Sequence, residues 1–376
     1  MSGFVLPPYP YDRLAELLDA AAVGSAVADG GPVVDLSIGT PCDPPPTAVV
    51  EALATSGAER GYPPSIGTVA YREAAVRWLE RRFGVALDRS QLAACVGSKE
   101  LVAGLPHWLR LRDPERDTVL YPAVSYPSYA MGAALAGCRA VAVPTDSEWR
   151  IDLGAISDDD ASRALCLWVN SPANPTGALD DLDAAAEWGR ARGVTVLSDE
   201  CYAEFTWASD PRTILTSGTS GVLAVHSLSK RSNLAGVRAG FYAGDAALVR
   251  YLSEIRKHAG LMLPGPAQAA AVIAFDDDEH VAAQRARYRG RLDALAGALA
   301  RQGLEAPLPE GGFYLWVAAP GGDAWGLARR LASEAGMIVS PGEFYGDAAP
   351  GYVRIAVVRP DDEIELLVRR LGGLSW

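Results

Sequence analysis

The chain has 376 residues, 49% of them hydrophobic and 21% charged, which suits two packed cores and excludes a disordered polymer. Its 46 acidic against 34 basic residues leave a net charge of -12, which argues against a nucleic-acid-binding surface. No stretch approaches the roughly 18 uninterrupted apolar residues of a membrane span, and residues 1–11 lack the basic-then-apolar layout of a secretion signal, so a cytoplasmic protein without a membrane partner is expected.

Taken in order, residues 1–47 are expected to join 276–376 in a smaller domain beside a larger one over 48–275. Short β-branched runs alternate with helical stretches through the middle, the pattern of an α/β protein with a mostly parallel sheet covered by helices. Strands are expected from Leu92 to Val96, Thr118 to Tyr121, Ala140 to Val143, Leu165 to Val169, Thr195 to Ser198, Val222 to His226 and Gly240 to Ala243. The acids of Asp276 to Glu279 suit a helix start, and a helix from His280 to Gln302 follows. Then come a strand from Phe313 to Val317, a helix from Ala324 to Ala335, strands near Ile338 and from Val353 to Ala356, and a helix from Asp361 to Leu371. Cys42, Cys95, Cys138, Cys166 and Cys201 contain no Cys-x-x-Cys pair and read as buried, reduced thiols without a metal. His226 reads as a packed or hydrogen-bonded histidine.

Chemistry-bearing residues fall just past several strand ends, in the crevice where open α/β sheets put their ligands. Asn174 lies in Asn174-Pro-Thr-Gly177, Asp199 precedes Tyr202, and Ser227-Leu-Ser-Lys230 precedes Arg238. Each type answers a separate need of pyridoxal 5'-phosphate. A lysine can form a Schiff base with the aldehyde, provided desolvation or a nearby cation lowers its proton affinity; a solvated surface lysine is the alternative. Ser227, Ser229 and Arg238 can orient and neutralise the phosphate, and Gly236 and Gly240 beside the arginine allow close backbone approach. Asp199 can hold a proton on the pyridine nitrogen, and Tyr202 and Asn174 can hydrogen-bond the ring's 3-oxygen. The segment Gly97-Ser98-Lys99-Glu100 opens a helical run, where backbone amides form an anion cradle.

In this order the motifs resemble the class I and II aminotransferases, the fold-type I enzymes that use pyridoxal 5'-phosphate, from about Val33 to the C-terminus. Ser171-Pro-Ala-Asn174-Pro-Thr-Gly177, His226-Ser-Leu-Ser-Lys230, Leu234-Ala-Gly-Val-Arg238 and Arg256-Lys-His-Ala-Gly260 are similar to the actinobacterial N-succinyldiaminopimelate aminotransferases. The resemblance implies a mostly parallel central sheet in a large domain, with a smaller α/β domain from both chain ends. It implies Lys230, Asp199 and Tyr202 as catalytic residues. It implies Gly97, Ser98, Lys99, Tyr62, Tyr126, Asn174, Ser227 and Arg238, with those three, as cofactor contacts. Tyr126 would stack on the ring, although Tyr121 and Tyr129 share its loop and each could equally serve packing. Arg354, in Tyr352-Val-Arg-Ile-Ala356, would clamp the substrate α-carboxylate, an outward-facing strand position being the alternative. Gly39, in Ile38-Gly-Thr-Pro41, would belong to a segment that closes over the same carboxylate.

Tyr62, in Gly61-Tyr-Pro-Pro-Ser-Ile-Gly67, would reach a neighbouring subunit's phosphate, implying a homodimer with a shared site. The implied reaction moves an amino group from glutamate to N-succinyl-2-amino-6-oxopimelate in lysine biosynthesis. Lys99, Lys257 and His258 are candidates for the extra carboxylates, with capping of its own helix as the other reading of Lys257. The same constellation also serves elimination, decarboxylation or cyclisation. A regulator using this fold would need a DNA-binding module, for which the segment before Val33 is too short.

Overall fold

A computed structural model describes residues 9–25 and 31–374. Most of the segment read for a secretion signal, residues 1–8, lies outside the described residues. Two compact units are present: one takes the described residues up to Gly39, Tyr288–Leu308 and 313–374, the other Thr40–Arg287 and Pro309–Gly312. The divisions at 39/40 and 287/288 differ from those read in the sequence at 47/48 and 275/276. The helix Thr47–Thr55 packs on Gly265–Asp276 inside the larger unit.

In the larger unit seven strands form one sheet, in the order Leu92–Cys95, Gly240–Gly244, Val222–Ser227, Thr195–Asp199, Ala164–Asn170, Thr118–Pro122, Arg139–Val143. Five run parallel, Gly240–Gly244 is antiparallel to both its neighbours, and Leu92–Cys95 restores the common direction at the edge. The α/β expectation holds, each expected strand lying within a residue or two of its place. Period-two alternation divides the apolar side chains between two cores: Leu167, Val169 and Ala224 enter one, Cys166, Trp168 and Val225 the other. Every residue of Ala164–Asn170 is buried, as a parallel strand covered on both faces requires.

The smaller unit pairs Val34–Asp35 with Met337–Ile338 in parallel, and sets Tyr352–Ala356 antiparallel between Ser340–Pro341 and Tyr314–Ala318. The expected helix from Ala324 to Ala335 is α only over Ala324–Arg330. It continues as a π turn over Leu331–Ala335, which ends on Gly336 in the left-handed region. Asp277 Oδ1 accepts the Glu279 and His280 N–H groups at 2.9 and 3.2 Å, so Asp277 caps the helix Glu279–Ala300. Among the described residues no helix is long and apolar enough to cross a membrane.

Burial of the thiols is corrected in part. Cys95, Cys166 and Cys201 are buried, but Cys42 is exposed and Cys138 intermediate.

Candidate active site

The register of the large sheet gathers the site at one edge. Asn170 lies opposite Asp199, Asp199 opposite Val225, Ser227 opposite Gly240, and Gly240 opposite Cys95. Asn170, Asp199, Ser227 and Cys95 therefore end their strands at the same edge, where Gly240 begins its own and Arg238 precedes it.

Gly97 and Arg238 form one wall. Gly97 precedes the helix Ser98–Arg112 with φ 73° and ψ 159°, a conformation close to glycine-only. A Cβ there would fall 2.6 Å from the Arg238 Cζ, so the guanidinium lies directly against the glycine. Arg238 itself is left-handed at φ 60° and its Nη1 donates to Ala235 O at 2.8 Å. Ser227 Oγ accepts the Ser229 N–H at 3.1 Å and donates to Ser229 Oγ at 2.9 Å. The first-turn N–H groups of Ser98–Arg112 have no partner within their own helix. With the Arg238 cation and two serine hydroxyls, this is a donor set suited to a phosphate dianion. Of the two glycines beside Arg238, Gly240 lies against the His226 carbonyl, whereas Gly236 faces open space.

Glu100 anchors this cradle, a role the sequence reading missed. Its carboxylate accepts the Val96 N–H at 2.8 Å and a forked pair from the fully buried Arg256, at 3.0 and 2.5 Å. Arg256 also stands over the Trp108 and Tyr242 rings.

Asp199 supplies a second wall. Its Oδ2 accepts the Tyr129 Oη hydrogen at 3.0 Å and its Oδ1 the Cys201 N–H at 3.2 Å. Burial raises its carboxyl above the ordinary range, and those hydrogen bonds only partly oppose it. A protonated ring nitrogen is the cationic partner that such a buried carboxylate fits.

Around the same edge, Asn170 Nδ2 donates to Asp199 O at 2.8 Å and Asn170 Oδ1 accepts the Asn174 N–H at 2.8 Å, which places Asn174 beside the Asp199 strand. The Pro309–Gly312 segment ties this loop to the one after Tyr202. Gly311 N–H donates to Gly177 O and Gly312 N–H to Phe205 O, at 2.8 and 2.9 Å. Tyr202 is buried just before the turn Ala203–Phe205, and half-buried Lys230 lies on the single turn Leu228–Arg231 that Ser227 caps. Tyr126 is half-buried with the Lys99 Nζ 5.5 Å from its ring centroid. Tyr129 sits in the core against Trp168 with its hydroxyl on Asp199, more than the packing role weighed for it. Its neighbour Tyr121 is half-buried in its strand.

Tyr62 is 97% exposed. Lys99, Lys257 and His258 are exposed too, the last two at the end of the helix Ala246–His258, where Lys257 faces Glu254 at 3.9 Å. His226 is buried among Trp78, Phe83 and Phe241, with Nε2 3.1 Å from Glu200 Oε2 but outside hydrogen-bond geometry.

In the smaller unit Arg354 is 2% exposed, so it faces inward. Its guanidinium lies 4.3 Å from the Tyr314 ring centroid and 4.8 Å from that of Tyr345, and Nη2 donates to Ser37 O at 2.5 Å. Tyr345 Oη meets Tyr11 Oη at 2.9 Å. Gly39 brings its backbone against the Tyr314 phenol.

The aminotransferase class I and II family model matches residues 31–371. The chain is 42% identical to a 4-dedimethylamino-4-oxo-anhydrotetracycline transaminase of Streptomyces rimosus, over 97% of this chain and 99% of that one. It is 42% identical to a probable aminotransferase of Mycobacterium tuberculosis, over 97% and 85%. A solved probable N-succinyldiaminopimelate aminotransferase from Thermus thermophilus superposes with a TM-score of 0.85 at 31% identity, over 97% of this chain and all of that one.

Proposed function

The chain belongs to the class I and II aminotransferases, enzymes that use pyridoxal 5'-phosphate, and we propose that it moves an amino group from glutamate to a 2-oxo acid bearing further carboxylates. N-succinyl-2-amino-6-oxopimelate, an intermediate of lysine biosynthesis, is the acceptor proposed. The observation that carries the reading is the gathering of Asn170, Asp199, Ser227, Gly97 and Arg238 at one sheet edge. The likeness to the Thermus enzyme supports the acceptor.

When bound, the cofactor supplies the electron sink that lets an amino acid's α-hydrogen leave as a proton. Lys230 Nζ would hold the aldehyde and, as a free amine, would accept that proton from the substrate's α-carbon. Asp199 would keep a proton on the ring nitrogen. Tyr202 and Asn174 would donate to the 3-oxygen, and Tyr126 would cover a ring face. Ser227, Arg238 and the Gly97-Ser98-Lys99 amides would grip the phosphate. Arg354 takes the substrate α-carboxylate in a fork, Gly39 lies on the segment closing over it, and Lys99, Lys257 or His258 receives the distal carboxylates. Tyr62, exposed in a single chain, donates to the phosphate of a second copy in a cytoplasmic homodimer.

A second reading is favoured by the Streptomyces relative: the same amino transfer to a ketone of specialised metabolism. Elimination, decarboxylation and cyclisation have less support, since that relative is named a transaminase. The test is a donor and acceptor panel with products followed by mass spectrometry. Glutamate with a succinylated amino-oxopimelate is expected to give 2-oxoglutarate and the aminated product. Turnover confined to polycyclic ketones would establish the second reading, and release of ammonia or carbon dioxide without amino transfer would overturn both.

A further inference from the structure

Arg231 follows Lys230 directly, Glu204 stands two residues after Tyr202, and the two are a buried ion pair. Arg231 is 3% exposed and Glu204 4%, with Arg231 Nε 3.1 Å from Glu204 Oε1. Glu204 is a hub. Trp78 Nε1 donates to the same oxygen at 2.8 Å and Arg82 Nε to the other at 2.6 Å, while Arg285 Nη1 holds the Glu204 carbonyl. Arg231 spends its remaining donors on Ser232 Oγ at 3.1 Å, Ala274 O at 2.5 Å and Asp278 Oδ1 at 3.2 Å. Its guanidinium also lies over the Trp78 and Phe275 rings. Burial works against the Glu204 charge, and the Arg231 and Arg82 guanidiniums outweigh it, leaving the carboxyl below its usual range.

The elements that this pair joins are too short to hold themselves. Leu228–Arg231 is a four-residue turn and Ala203–Phe205 a three-residue one, each far below the length at which a helix is stable alone. A buried ion pair is weak as a source of stability, and in some proteins it serves to specify one arrangement. We propose that Glu204 and Arg231 are positioning residues, which fix the Lys230 turn against the Tyr202 turn and thereby set the proton affinity of the lysine-cofactor linkage. The proposal rests on the reading of Lys230 as the cofactor lysine and Tyr202 as donor to the 3-oxygen. A donor held on that oxygen favours its anionic form and lowers the affinity of the linkage for a proton, so loosening the turns raises it.

Other charged or titratable groups face the pair or its two turns. Arg81 and Arg82 come from the helix Val69–Phe83, Asp276 from the end of the helix Gly265–Asp276, Asp277 and Asp278 from the loop after it, His280 and Arg285 from the following helix, Glu200 from just past the strand Thr195–Asp199, and His226 from the strand Val222–Ser227. Replacing Glu204 and Arg231 together leaves those groups in place.

The test uses holoenzyme of Glu204→Met/Arg231→Met, of Arg231→Lys and of Lys230→Ala, reading thermal unfolding and the pH titration of the bound cofactor's visible absorbance. Two apolar chains of similar bulk leave neither member of the pair as an unpaired buried charge, but Trp78 Nε1 and Arg82 lose their acceptor, so the double variant is expected to melt below the wild type and still fold. Its absorbance pKa is expected to rise by about one unit, and kcat to fall about tenfold with KM within about twofold. Arg231→Lys, which keeps the charge but loses the fork, is expected to shift the pKa part of the way. A folded double variant with wild-type titration and kcat would overturn the proposal; should it not fold, a wild-type titration in Arg231→Lys does so. Retention of the wild-type titration by Lys230→Ala would instead sink the assignment of the lysine.

Discussion

Tyr129 Oη donates a 3.0 Å hydrogen bond to Asp199 Oδ2 from a ring packed on Trp168, so one side chain both fills the core and charges the site. The bond favours the ionised carboxylate, opposing the burial that raises its proton affinity. Tyr129→Phe keeps the packing and removes the donor, and the Asp199 pKa should rise further. A hydrogen bond to a charged group is worth about 1.5–3 kcal/mol, so kcat/KM near neutrality is expected to fall roughly tenfold, with the acid limb of its pH profile moved upward. A profile superimposable on the wild type would remove Tyr129 from the site.

Gly97 and Gly236 make a matched pair of tests. Alanine at 97 must adopt φ 73° and place its Cβ on the Arg238 guanidinium, whereas alanine at 236 meets nothing within 4 Å. Backbone strain of this kind costs about 1–3 kcal/mol, so Gly97→Ala should weaken pyridoxal phosphate binding roughly 10- to 100-fold, measured by titrating the apo form. Gly236→Ala should bind as the wild type does. Equal affinities for both variants would place the phosphate elsewhere.

The difference between those glycines marks where sequence reading ends. Strand positions were legible because apolar β-branched runs broken by turn residues need only local pattern, and Lys230, Asp199 and Asn174 because each follows such a run. Asp199 with Tyr129, Glu100 with Arg256 and Glu204 with Arg231 are tertiary pairs, 70, 156 and 27 residues apart. No periodicity links their members. Buried arginines read as surface charges until the structure shows their carboxylates, and a tyrosine in a loop with two others carries no mark of its acceptor.

Arg354 lies between the Tyr314 and Tyr345 rings with one nitrogen on Ser37 O, an arrangement that fixes a planar fork and not merely a charge. Arg354→Lys keeps the cation and loses the stacking. Both Arg354→Ala and Arg354→Lys are expected to lower kcat/KM for carboxylate substrates, the alanine by about 100-fold on the scale of charge-assisted hydrogen bonds, mainly through KM. A lysine variant with wild-type kinetics would show that charge alone suffices there.

Asp180 offers a pH test away from the cofactor. Its Oδ1 accepts the Ile151 N–H at 2.9 Å and its own N–H goes to Ser171 Oγ at 3.1 Å, and burial pushes its carboxyl up to about 6. An unfolded aspartate titrates near 3.9, so between those values the folded state binds the extra proton. The stabilisation is complete below about pH 4 and is lost as the pH rises through about 6. Asp180→Asn keeps an acceptor for Ile151 and cannot ionise, so its melting temperature should lack this fall. The gap between variant and wild type should open from pH 4 to 7, by on the order of 3 kcal/mol. Parallel melting curves across that range would mean that the carboxylate is solvated and that the Ile151 N–H is bonded at no cost to either state.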